Sequence, residues 1–241
     1  MARPPERALP RLSAAQLADY LAARTVLAQI GILRAAKYPT EARPLIIQYQ
    51  HARRAIASCL VAPADTNRLV AAAVVALEQR RDDPASRPLV RDDARRSIDA
   101  ILNFQRSVNQ LDLEDVTFEP ALQRPQSLMI RDVEISVSCD AVAIVASRNG
   151  PRVGEVFVRC AIGNDGDAAE NRRLEASGHL ATIAHIHATA HLAERGTPHS
   201  PSSMVIDVPR QRVIRGPAST TARVRNIEAA CGMIAAVWPT V

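Results

Sequence analysis

Two acids and a pair of histidines are the residues in this sequence best placed to do chemistry. Asp140 stands at the head of an apolar run, residues 141–146, and Glu155 lies inside the next one, residues 153–161. Five of the six histidines fall between His179 and His199. His187 and His191 are four apart, a spacing that puts two imidazoles on one face of a helix, where they can share a metal ion. Ala188 follows His187, so the glutamate of a metalloprotease helix is missing, and a third ligand would have to be His179, His199 or a carboxylate from a sheet. Asp207 interrupts the apolar run MVIDV. A buried acid costs several kcal/mol unless it is paired, so Asp207 either meets an arginine, with Arg212 or Arg215 as neighbours across a short turn, or ends the strand at a cleft. With nine glycines the chain has no phosphate-cradling loop or dinucleotide fingerprint, and it has no serine or cysteine nucleophile motif. NTPases, dehydrogenases and α/β-hydrolases are thereby excluded.

The elements that must hold these residues are legible in the hydrophobic period. Residues 1–12 read as a Pro- and Arg-rich arm. Ser13 and Gln16 have capping-box spacing, and Leu17, Leu21, Leu27 and Ile30 follow at helical intervals up to Pro39. A second helix is predicted from Pro44, with Leu45, Tyr49, Ala52, Ile56 and Leu60 in one stripe, and a third from Asp65 or Thr66 to Leu77. The charged stretch of residues 80–88 reads as a loop, which makes residues 13–88 a helical lobe. A fourth helix covers residues 89–108. The period then changes. Val133, Ile135 and Val137 alternate with polar residues; residues 141–146 are apolar on both parities, as in a central strand; and residues 153–161 set Gly154, Val156, Val158 and Cys160 against Glu155, Phe157 and Arg159. Further on come a helix from Asp167 to about Glu194, a strand over residues 204–208, a short partner strand over 212–214 and a last helix over 221–237. The predicted fold class is α/β: an N-terminal helical lobe, then a small mixed sheet flanked by helices over residues 89–241.

From residue 89 that order, with acids on the second and third strands, resembles the restriction-endonuclease-like superfamily and its PD-(D/E)XK signature. The resemblance covers residues 89–237. It implies an Asp at the start of one strand and an Asp or Glu on the next that together hold Mg²⁺, with a lysine two positions further on that orients the attacking water. Hard divalent cations favour carboxylate oxygens and stabilise the charge that develops on a phosphate, which is why the chemistry needs those residue types. Carried onto this chain, Asp140 and Glu155 are the metal-holding acids, with Cys139 in the proline position and Phe157 in the lysine position. Arg159 is the nearest cation for the catalytic set, roughly 13 Å along the strand from Glu155. Arg172 or Arg173 on the following helix could fill the lysine's place. Alternatively, Asp140 is a turn acid and Glu155 pairs with Arg159 or Arg148. If the histidine-bearing helix packs beside Glu155, its imidazoles become the supporting groups or the missing base.

Charge and composition frame the partners. Of 30 cationic residues only Lys37 is a lysine, and the net charge is +5. Guanidinium forks pair well with phosphate, so DNA or RNA is the expected partner, with a protein partner for the arginine-rich surface or the helical lobe as the alternative. The basic residues are scattered and aromatics are only 3% of the chain, which disfavours single-strand binding by base stacking. Cys59, Cys139, Cys160 and Cys231 lie far apart in apolar contexts and read as reduced core thiols. No membrane span or signal peptide is predicted, and the expected location is the cytoplasm.

Overall fold

The computed structural model describes residues 6–39, 48–123, 126–163 and 166–241. It is a mixed α/β fold of one three-stranded and one six-stranded sheet flanked by helices. The strands are β1 (Arg11–Ser13), β2 (Val116–Pro120), β3 (Ser127–Ile130), β4 (Val133–Ser136), β5 (Ala141–Val145), β6 (Arg152–Arg159), β7 (Thr197–Pro198), β8 (Met204–Asp207) and β9 (Arg212–Arg215). The helices are α1 (Ala14–Ala22), α2 (Val26–Lys37), α3 (Gln50–Val61), α4 (Thr66–Asp82), α5 (Pro88–Ser107), α6 (Asp167–His191) and α7 (Thr221–Val237).

The capping box at Ser13 forms as read: Ser13 Oγ accepts from the Gln16 N–H, and the Gln16 side chain accepts from the Ser13 N–H. The helix it starts ends at Ala22 instead of continuing to Pro39. Thr25 caps a new helix, its Oγ1 accepting from the Ala28 N–H. The expected start of the second helix at Pro44 and Leu45 lies outside the described residues; α3 is described from Gln50, after Tyr49 in a left-handed conformation. Pro63 closes α3 and Pro88 opens α5, each where a missing N–H costs nothing.

The six-stranded sheet runs β2-β5-β6-β8-β9, with β7 paired to β6. Neighbours are antiparallel except β6 with β7 and β6 with β8. Parallel β6 and β8 need a crossover, and α6 supplies it. Each strand sorts its side chains by parity. Ala141, Ala143, Val156, Val158, Met204 and Ile206 enter one core with α3, α4 and α5, while Phe157 and Val205 enter another with α1, α6 and α7. Gly154 is required where β6 meets the 200–203 turn, because a Cβ there would overlap the backbone of Ser202 and Ser203.

Two features differ from the sequence expectation. The first 88 residues do not stand apart as a lobe. β1 pairs in parallel with β4 in the smaller sheet, α1 packs on α6, and α3 roofs β5 and β6. α3 and α4 pack with α5 and one face of the larger sheet in a single core, and α1 joins the other core, so these helices complete the two cores of the sheet. Also, β4 is not the neighbour of β5; it belongs to the sheet β1-β4-β3. The non-strand stretch at residues 137–140, between β4 and β5, lets the chain pass from one sheet to the other. Lys37 ties the ends together: its buried Nζ donates to Trp238 O at 2.8 Å and pairs with Glu6 at 3.2 Å. Among the described residues no single helix is long and apolar enough to cross a membrane.

Candidate functional site

Asp140 precedes β5, and its carboxylate extends the β5–β6 ladder. Its N–H donates to Val156 O at 2.7 Å, and its Oδ2 accepts from the Val158 N–H at 2.7 Å. Arg53, on α3, completes the arrangement: Nε donates to Oδ1 at 3.0 Å and Nη2 to Oδ2 at 3.1 Å. The side chain is 9% exposed. Burial raises its pKa, opposed by the Arg53 charge and by the hydrogen bonds from Val158 and Arg53.

Glu155 is held from the other helical layer. By the parity of β6 it shares the Phe157 face, where it meets His187 of α6: Nδ1 lies 2.7 Å from Glu155 Oε1, and both side chains are fully buried. The imidazole Nε2 lies 2.9 Å from Gln126 O. Both ring nitrogens thus face oxygens; a carbonyl can only accept, so Nε2 carries a proton. A proton on Nδ1 as well would make the contact with Glu155 a charge-assisted hydrogen bond. Burial works to lower the His187 pKa, but the Glu155 hydrogen bond and charge together with the Gln126 carbonyl outweigh it, and the net shift is upward. The His191 ring lies against His187 at 4.5 Å between centroids, tilted by 56°. Glu155 Oε2 is buried without a donor among the described residues, with Cys139 alongside. Burial and the Glu155 and Asp140 charges push the Cys139 thiol far above its ordinary range, so it is a poor nucleophile.

The pair proposed from the resemblance is therefore not gathered at one solvent-reachable point. Asp140 spends its oxygens on a guanidinium and a backbone N–H, and Glu155 is sealed against an imidazole, so neither fits a shared Mg²⁺ without leaving its partner. Among the described residues no group of three or more His, Cys, Asp or Glu side chains is arranged to hold a metal ion. His187 and His191 do share a helix face, but His187 is committed at both nitrogens, to Glu155 and Gln126. His179 and His199 do not join them. Of the alternatives read from sequence, the helix carrying the histidines does pack beside Glu155, whereas Arg148 and Arg159 do not pair with it.

Arg159 instead faces a cleft at the end of β6. Its Nη2 donates to Asp19 Oδ1 at 3.2 Å and its Nη1 to Ser177 Oγ at 2.9 Å. Arg173 grips the buried Asp207 with two bonds of 2.6 Å, and Arg212 stands 3.6 Å from the same carboxylate. Of the two arginines expected for Asp207, Arg212 and Arg215, only Arg212 comes near it, and the main partner is Arg173 of α6. The cleft, of about 400 Å³, lies between α1, α2 and the first turns of α6 and is rimmed by Arg24, Arg159, Arg172 and Arg173. Arg24 pairs with Glu175 at 2.7 Å, whereas exposed Arg172 has no carboxylate partner among the described residues. Burial raises the Asp19 pKa against the pull of Arg159 and Arg173. Arg53 and Asp19 had no local signal in the sequence, since their partners lie 87 and 140 residues away. Comparison with protein-family models, with curated proteins and with solved structures returns no match in any of the three.

Proposed function

We propose that this chain is a nucleic-acid-associated protein that holds a phosphodiester backbone without cleaving it, through the arginine-rimmed cleft at the end of β6. The observation that carries this reading is the convergence of four guanidiniums on one cleft, with Arg172 lacking a carboxylate partner among the described residues. Arginine donors in a planar fork suit a phosphate oxygen pair, and Arg24 and Arg159, already aimed across the cleft by Glu175 and Asp19, can share their remaining N–H groups with it. Hydrolysis is left out of the reading because Asp140 and Glu155 are each engaged with a cation of the protein itself.

Fluorescence anisotropy with a labelled DNA duplex tests it. Affinity should fall steeply between 50 and 200 mM salt as counterions are released, roughly one unit of log–log slope per phosphate contacted. Arg172→Glu should weaken binding and flatten that slope by about one unit. A salt-independent affinity, or an Arg172→Glu protein that binds unchanged, removes the cleft as the binding site. Mg²⁺-dependent cleavage of the duplex that Asp140→Ala and Glu155→Ala both abolish would show instead that the acids leave their partners and act together.

A further inference from the structure

We propose that a second surface, the groove between α3 and α4, is a docking site for an acidic amphipathic helix of a protein partner. The groove holds about 580 Å³ and is built by two helix faces. His51, Arg54, Ala55 and Ser58 recur at helical intervals on α3, and Leu69, Ala73, Ala76, Leu77 and Arg80 do so on α4. From Leu69 to Asp83 the α4 wall rises about 21 Å, close to four helical turns. The middle of the floor is alanine: Ala55, Ala73 and Ala76. Such small side chains allow a third helix to lie within about 8–10 Å of both axes. A partner helix would bring apolar anchors at i, i+3, i+4 and i+7 to that floor.

The charge is confined to one end. Arg54 and Arg80 have no carboxylate partner among the described residues, and the Arg80 Nε is buried without an acceptor. Arg80 Nη1 lies 3.0 Å from His51 Nε2, which therefore accepts. Burial and the Arg80 and Arg54 charges lower the His51 pKa, consistent with a neutral ring in that role. Asp83, the acid in the groove lining, accepts from the Ala85 N–H and the Ser86 hydroxyl of its own loop, and buried Asp93, whose charge opposes the lowering at His51, accepts from the Tyr49 N–H. Two guanidiniums at the mouth of an apolar trough ask for a carboxylate at one end of an apolar helix. A nucleic-acid strand fits less well, because it carries a phosphate every 3.4 Å and would need cations along the whole groove.

The probe is a fluorescein-labelled, helix-forming peptide of sixteen residues with a leucine stripe and glutamates in one terminal turn, titrated into the full chain. Saturable binding is expected. Arg54→Glu and Ala76→Arg, both at exposed positions and each checked by thermal melting for an unchanged fold, should each weaken it by about tenfold or more. A peptide with lysines in place of the glutamates should recover affinity for the Arg54→Glu protein. Four results overturn the proposal: no saturable binding, equal affinity for the glutamate and lysine peptides, indifference to Ala76→Arg, or displacement of the peptide by DNA duplex or by anionic vesicles. Self-association of the chain that Ala76→Arg abolishes would also overturn it, by making a second copy the occupant.

Discussion

The ends and the middle of the strands in one sheet hold charge in opposite ways. At the strand ends an arginine meets an acid of another element: Arg53 of α3 holds Asp140 before β5, Arg173 of α6 holds Asp207 at the end of β8, and Arg159 at the end of β6 holds Asp19 of α1. In the middle of β6 Glu155 meets a histidine. A guanidinium stays charged at every accessible pH, so the strand-end pairs depend only on the acid. An imidazole can lose its proton near neutrality, so the mid-strand pair exists in two charge states within a narrow pH range. Burial also differs. Arg53 and Arg159 reach water, while Glu155 and His187 do not. The lesson is that the three arginine pairs act as permanent clamps on the strand ends, and the glutamate–histidine pair is a conditional clamp between β6 and α6.

Four measurements sharpen or break that contrast. The largest effect is expected for Arg173→Ala, which leaves the fully buried Asp207 carboxylate with only Arg212, 3.6 Å away; denaturant unfolding should lose about 3 kcal/mol. His187→Ala should cost about 2–3 kcal/mol, because the buried Glu155 loses its imidazole partner, while Glu155→Leu with His187→Leu should come out near wild type or above it. Should the double variant lose as much as the single one, the pair is more than a tolerated polar contact. Arg53→Ala should cost about 1–2 kcal/mol, since Arg53 is part-exposed and the Val158 N–H remains on Asp140.

The smallest effect is the pH slope. The folded-state pKa of His187 lies above its ordinary value of 6.5, so the folded form binds the extra proton between the two values. Its contribution is complete below about 6.5 and fades as pH rises through the folded value, with a slope of at most about 1.4 kcal/mol per pH unit for one proton. Wild type should therefore lose stability relative to the double leucine variant on the alkaline side of neutrality. Asp140, also raised, has the same sign in a lower window: its contribution is complete below the ordinary 3.8 and is lost as pH rises through its folded value. Parallel curves for wild type and the double leucine variant above pH 6.5 would mean the histidine carries no conditional charge.

Much of the architecture could be read before any coordinates. The Ser13 capping box, the prolines at 63 and 88, and the alternation in residues 153–160 that sends Val156 and Val158 to one core and Phe157 to the other all rest on neighbours within a few residues. So did the presence of an acid at 140, an acid at 155 and histidines at 187 and 191. What those groups do was not legible. A single Phe157 side chain is equally consistent with a lost lysine and with a core residue, and only its packing with Leu180, Ile183 and Val205 makes it the latter.

Sequence alone determined local conformation: which residues turn, cap, alternate and face inward, because backbone sterics and the 3.6 and 2.0 periods act over a few positions. Tertiary structure decided the partnerships. Whether Asp140 meets a cation of the protein or of the solvent, and whether Glu155 meets its histidine, depends on how α3 and α6 land on opposite sides of one sheet. Electrostatic pairing acts through space across 87 or 32 residues of chain, and no local pattern encodes that distance.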